Sequence, residues 1–136
     1  MWADPLAAVI AYLAPLVAPI RVVSRVPQDS APRPPLLQVR RVGGTAEPPV
    51  REILRLDVFA WHTSDAEAMA LALAARNALW QLPGQQLSDL RAYWVSEFMG
   101  PRQADDPASL TPRVWATYEL TIRADQAIHA SASTTP

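Results

Sequence analysis

The chain has no cysteine and no lysine, and it has only four glycines and two histidines. Without cysteine there are no disulfides, thiolate zinc sites, iron–sulfur clusters or cysteine nucleophiles. Without lysine there is no Schiff-base chemistry and no phosphate-loop lysine. All twelve basic residues are arginine, a bias that a GC-rich coding genome accounts for. Thirteen acidic residues offset them, leaving a net charge of −1. That balance argues against bulk nucleic-acid binding, which needs surplus positive charge to displace counterions. Long apolar runs are also missing. Residues 5–20 carry no charge, but the stretch is shorter than the ~20 residues a bilayer span needs, and Pro15 and Pro19 interrupt it. No basic residue precedes it, so it fits a secretory signal poorly.

What remains is one domain's worth of foldable chain. It has 136 residues, of which 50% are hydrophobic and 18% charged. A chain of this size buries roughly two-thirds of the surface its unfolded form exposes. Asp4 and Pro5 form a helix start, an N-cap followed by a proline in the first turn. Leu6, Val9, Ile10, Leu13 and Leu16 follow at helical spacing, to an end near Pro15–Ala18. Residues 20–26 read as a short strand and 27–35, rich in proline, as an extended connection. Residues 36–42 form a second strand ended by Gly43-Gly44, and 52–62 a third. A hairpin loop of about ten residues between them exceeds the usual two to five. Ser64 and Glu67 match a capping box opening a helix that stops before Pro83-Gly84. That helix is apolar around most of its circumference and needs cover on more than one side. Residues 91–99 give a fourth strand and 100–112 a polar loop.

Residues 113–123 are the cleanest signal. Val114, Ala116, Tyr118, Leu120 and Ile122 alternate with Arg113, Trp115, Thr117, Glu119, Thr121 and Arg123, as in a half-buried antiparallel strand. The expected fold is α+β: a single mainly antiparallel five-stranded sheet with both helices on one face, in the order α-β-β-β-α-β-β. The other face is expected to be polar and arginine-rich, with Trp61 and Trp115 as exceptions. Residues 1–123 form the domain, and 124–136, poor in bulky apolar side chains, a flexible tail.

No catalytic set stands out, and the expectation is no enzyme, no metal and no cofactor. His62 reads as a polar strand end without a carboxylate at ligand spacing, and His129 as a solvated tail residue. Asp105-Asp106, with Asp89 upstream, lacks the ligand count of a calcium loop and reads as a solvated turn. Gly43-Gly44 lacks the context of a phosphate cradle. Arg40, Arg41, Arg51 and Arg55, near Trp61, could bind single-stranded nucleic acid, but Glu47, Glu52 and Asp57 cancel much of their charge.

Taken in order, these segments resemble the tail terminator proteins of long-tailed (siphovirus-type) phages, especially those of actinobacterial hosts. The resemblance runs from the N-terminal helix through Arg-Val-Val-Ser-Arg-Val at 21–26, Leu-Gln-Val-Arg-Arg-Val-Gly-Gly at 37–44 and Leu-Arg-Leu-Asp-Val-Phe-Ala-Trp at 54–61. It continues through the alanine-rich helix at 66–82, Gly100-Pro101, Asp106-Pro107 and the strand at 113–123. It implies a virion structural protein of the tail or neck, assembled in the host cytoplasm. Such a protein forms a hexameric ring that caps the tail tube, stops its polymerisation and joins the head-side connector, with no membrane partner. DNA would cross the lumen without specific binding. On this reading Gly43, Gly44, Thr45, Glu47, Arg51, Arg102, Asp105 and Asp106 contact tube or connector. Arg40, Arg55, Trp61, Arg76, Trp80 and Trp115 lie between subunits. The rival readings are a head–tail connector or completion protein, a small metal-dependent enzyme using His62, Asp105 and Asp106, and a nucleic-acid-binding module.

Overall fold

A computed structural model describes residues 4–26, 35–47, 51–87 and 90–124. The elements are α1 (Pro5–Leu16), β1 (Arg21–Val23), β2 (Leu36–Glu47), β3 (Arg51–Trp61), α2 (Asp65–Trp80), β4 (Gln86–Leu87), β5 (Leu90–Gln103) and β6 (Arg113–Ala124). Ala124, the expected start of the tail, closes β6; residues 125–136 with His129, Asp89 and most of the proline-rich connection lie outside the described residues.

Both helix starts follow from local chemistry. The Asp4 carboxylate accepts from the Leu6 and Ala7 amides and Pro5 occupies the first turn, so donors that the helix itself cannot satisfy find a partner. At α2 the Ser64 hydroxyl accepts from the Glu67 amide at 3.2 Å. The reciprocal half of the expected box goes elsewhere: the Glu67 carboxylate takes the Thr63 hydroxyl and faces His62 Nδ1 at 3.0 Å.

The sheet has six strands, not five, in the order β1-β2-β3-β6-β5-β4. It is mixed, because β1 runs parallel to β2; the other pairs are antiparallel. The additional strand, β4, is two residues long and pairs with Leu90–Arg91, too short to leave a periodic trace. The expected ten-residue loop at Gly43–Arg51 is mostly strand. An irregularity between Arg41 and Gly43 lets the β2–β3 ladder continue from Gly43↔Arg55 to Glu47↔Arg51. Val42 is the extra residue of this bulge, and the two glycines follow it rather than form a turn. Gly44 has φ +122, and a Cβ there would stand 1.9 Å from the Ile53 carbonyl oxygen, so only glycine fits.

Alternate residues of β3 and β6, Leu54, Leu56, Val58, Ala60 and Val114 to Ile122, point to the helices and are buried. The stripe of α2 turned to the sheet is Ala68, Leu71, Ala72, Ala75, Ala78 and Leu79. Its alanines let helix and sheet approach closely, and Leu73 and Trp80 are left partly exposed. The cover that α2 required comes in part from α1, whose Tyr12 hydroxyl donates to the Ala78 carbonyl at 2.7 Å. Helix α1 also touches β1, β2 and β4. It therefore reaches both edge strands of one curled sheet. Val9, Leu13, Leu37, Leu82 and Leu90 are fully buried, and each such side chain contributes about 1.5–3 kcal/mol of transfer free energy.

Candidate interaction surface

The sheet face turned away from the helices is a layer of arginines lying on aromatic rings. Arg113 sits 5.0 Å from the Phe59 centroid and 5.6 Å from that of Trp61. Arg102 lies 4.3 Å over Trp115, and Arg55 4.2 Å over Phe98. Phe59 and Trp115 stack at 5.2 Å. Guanidinium groups are weakly hydrated and rest well on ring faces. Arg55 also pairs with Glu119 at 2.7 Å, and Asp57 accepts from the Thr117 hydroxyl at 2.7 Å. An open hollow of about 690 Å³ lies on this face, lined by Arg25, Gln38, Arg40, Asp57, Trp61 and Arg113 among others. The face is as arginine-rich as the alternation of β3 and β6 implied, and more aromatic.

Asp106 departs from the expected solvated turn. It is 5% exposed. Its carboxylate accepts from Trp61 Nε1 at 3.2 Å, from the Ser109 hydroxyl at 2.9 Å and from the Ala108 amide at 2.9 Å. One side chain thus pins the 104–112 loop to the end of β3. Trp61, expected between subunits, is 2% exposed and buried within its own chain by this loop. Leu110, held at φ +57, is the opposite case: a leucine in left-handed backbone, 86% exposed.

The other expected contact residues separate by position. In the strand registers Glu47, Arg51, Arg123 and Arg91 stand at one end of the sheet. Leu36, Trp61, Arg113 and Gln103 stand toward the other. Thr45, Glu47 and Arg51 therefore belong to one end, and Arg102, Asp105 and Asp106 to the opposite one. Asp105 and Arg51 are exposed, and Gly43, Gly44 and Thr45 lie along an exposed edge.

Of the expected interface residues, Arg40 is exposed at the β2 edge, and Arg55 and Trp115 belong to the arginine–aromatic face. Arg76 and Trp80 lie on the helix side. There Arg76 Nε stands 3.1 Å from Glu97 Oε1, and Trp80 meets Tyr118 edge-on at 6.1 Å. Arg76 Nη2 donates to Glu97 Oε2 at 3.4 Å, while Arg76 Nε and Glu97 Oε1 are buried without a hydrogen-bond partner. The Tyr118 hydroxyl beside it is buried without a partner. Burial first, then the Glu97 charge, push the Tyr118 pKa well above the ordinary 10.0, with Arg76 opposing.

The residues of the metal-enzyme reading do not converge. His62 turns to Thr63 and Glu67, Asp106 is taken up by the loop, and Asp105 faces solvent. Among the described residues no three histidine, aspartate or glutamate side chains group as metal ligands. Sequence reasoning missed Glu67 as the partner of His62, because its carboxylate reaches it by folding back over the start of α2. It also missed the exposed aromatics of β5. Trp94 is 64% and Phe98 57% exposed, beside Tyr93 and Met99. Large apolar groups placed at one sheet edge mark an interaction surface.

The described residues thus form an α+β domain with an aromatic strand edge and an arginine–aromatic sheet face. The family model described as phage tail termination protein matches residues 2–128. The chain therefore belongs to the phage tail termination protein family, a structural family of the virion tail. No curated protein matches the chain.

Proposed function

We propose that this protein forms a ring, most simply a hexamer, on the end of the growing tail tube. The ring stops tube polymerisation and offers its other end to the head-side connector, without catalysis. The observation that carries this reading is the family match across residues 2–128.

The geometry supports it in one respect. The β2–β3 hairpin and the 104–112 loop project from opposite ends of one sheet. A ring between tube and connector needs two such ends. Thr45, Glu47 and Arg51 then serve one junction, and Arg102, Asp105 and the exposed Leu110 the other. Asp106 shapes its loop rather than touching a partner. The arginine–aromatic face carries Asp57 and Glu119 among its guanidinium groups, which suits a passage that DNA crosses without specific binding.

The test is to add the purified chain to polymerising tail-tube protein and follow tube length by electron microscopy, with the mass of the chain measured by light scattering. Short tubes carrying a terminal ring are expected. Tubes of unchanged length, with the chain binding portal-side components instead, would overturn the reading.

A further inference from the structure

We infer that the sheet continues from copy to copy, with the open β5 edge of one chain taking the open β2 edge of a second chain. This rests on the ring reading only in its setting; the joint itself is argued from the two edges.

Among the described residues, β1 covers β2 only at Leu36–Gln38, and β4 covers β5 only at Leu90–Arg91. The two covers stand at opposite ends of the sheet. The rest of β2 and of β5 presents backbone N–H and C=O groups outward, as strand edges do. β5 has bulges near Tyr93 and Phe98, and Pro101 lacks an N–H, so the pairable stretch is centred on Trp94–Met99. Edges without a partner are normally blunted by charge or proline, yet this one carries exposed Trp94 and Phe98.

The occupant is a second copy because the chain carries the complementary edge itself. β2 and β5 lie three steps apart in the order β2-β3-β6-β5, and each step is antiparallel. They therefore run in opposite directions, so sheet-to-sheet continuation is again antiparallel. The registers fix what would face what. Arg41 is level with Leu56, Leu56 with Tyr118, and Tyr118 with Glu97. In an unshifted continuation Arg41 of one copy meets Glu97 of the next, on the helix side of the seam. Arg41 already pairs with Glu52 and Glu97 with Arg76. The seam would thus order four charges of alternating sign, Glu52, Arg41, Glu97 and Arg76. Opposite-charge pairs directly across strands are favourable. Such a joint is heterologous, head to tail, the kind that closes into rings.

The absence of cysteine gives a clean test. By the same registers Arg40 is level with Asp57, Thr117 and Met99, so Arg40 and Met99 should face each other across the seam. Arg40→Cys and Met99→Cys chains are mixed and oxidised, alone and with tail-tube protein. Directly opposed strand residues lie close enough for a disulfide. The expected product is the mixed cross-link, with little from either variant alone. A Trp94→Glu chain, altered at an exposed position, should keep its circular dichroism and self-associate about tenfold more weakly or worse. Cross-linking of Met99→Cys to itself would place β5 against β5 and overturn the proposal. So would the absence of any cross-link under both conditions. Cross-linked rings that fail to cap tubes would leave the joint standing and reject the terminator reading instead.

Discussion

Replacing Asp106 with alanine removes the acceptor for three donors at once: Trp61 Nε1, the Ser109 hydroxyl and the Ala108 amide. Hydrogen bonds to a charged acceptor contribute about 1.5–3 kcal/mol each, and a buried donor left alone costs about 1–3 kcal/mol. The Ser109 hydroxyl and Ala108 amide can turn to water once the loop loosens. The Trp61 indole cannot, because its side chain is 2% exposed. The full cost of one donor and part of the other two give an expected loss of about 3–5 kcal/mol. Asp106→Asn keeps one carbonyl acceptor and should lose about half as much, and Ser109→Ala about 1 kcal/mol. Urea unfolding followed by far-ultraviolet circular dichroism measures all three. The loop should also be cut by protease in Asp106→Ala before the sheet unfolds. An Asp106→Ala protein within ~0.5 kcal/mol of wild type, the scatter of neutral surface changes, would falsify the view that one carboxylate holds this loop.

Two further outcomes follow from local geometry. Gly44→Ala forces a methyl to 1.9 Å from the Ile53 carbonyl oxygen, so the hairpin ladder must open beyond the bulge. A loss of more than ~2 kcal/mol is expected, in the range of overpacking or backbone strain, with raised amide exchange at Ile53 and Leu54. Tyr118→Phe removes a buried hydroxyl without a partner and should be neutral or stabilising by up to about 1 kcal/mol at pH 7. The pH dependence has a definite sign. The folded state holds the Tyr118 phenol protonated above its ordinary value of 10.0. Its contribution is therefore fully present below pH 10 and is lost as pH rises further, because the unfolded chain then binds fewer protons. Wild type should lose stability above pH 10 more steeply than Tyr118→Phe, as read by thermal melts across that range. Burial raises the Tyr12 pKa too, so the difference between the two proteins is the diagnostic quantity.

How much of this was legible in the sequence varied with how local the cause was. The strand at 113–123 announced itself because β6 is central, with one face on the helices and the other on the arginine layer, and its residues alternate accordingly. The start of α2 was fixed by Ser64, and the start of α1 by Asp4 and Pro5. β1 was read as a short strand, though longer than its three residues, whereas β4 was illegible because a strand of two residues is made by its partner and not by its own pattern. Gly43-Gly44 misled because a glycine pair after a bulge and a glycine pair in a turn look alike until the opposing strand is placed. Arg55 and Trp115 were set on the helix-free side by alternation, whereas Arg102, read as part of a polar loop, lies in β5. Asp106 was misread because burial of a carboxylate depends on a loop folding back to an indole 45 residues earlier in the chain. The exposed aromatics of β5 were hidden by register irregularities that break the strand's alternation at Ala92/Trp94, Glu97/Met99 and Met99/Arg102.

The reach of α1 has a consequence beyond packing. By touching β1 at one side and β4 at the other, this helix acts as the chord of an arc, and the sheet is the arc. A change in the length of that chord, for instance through the buried Val9 and Leu13, would alter the angle between the two open edges. When sheets join edge to edge, that angle is the turn from one copy to the next. In the proposed ring, the number of subunits that closes the circle would then depend on the core of a single subunit, far from any surface where subunits meet.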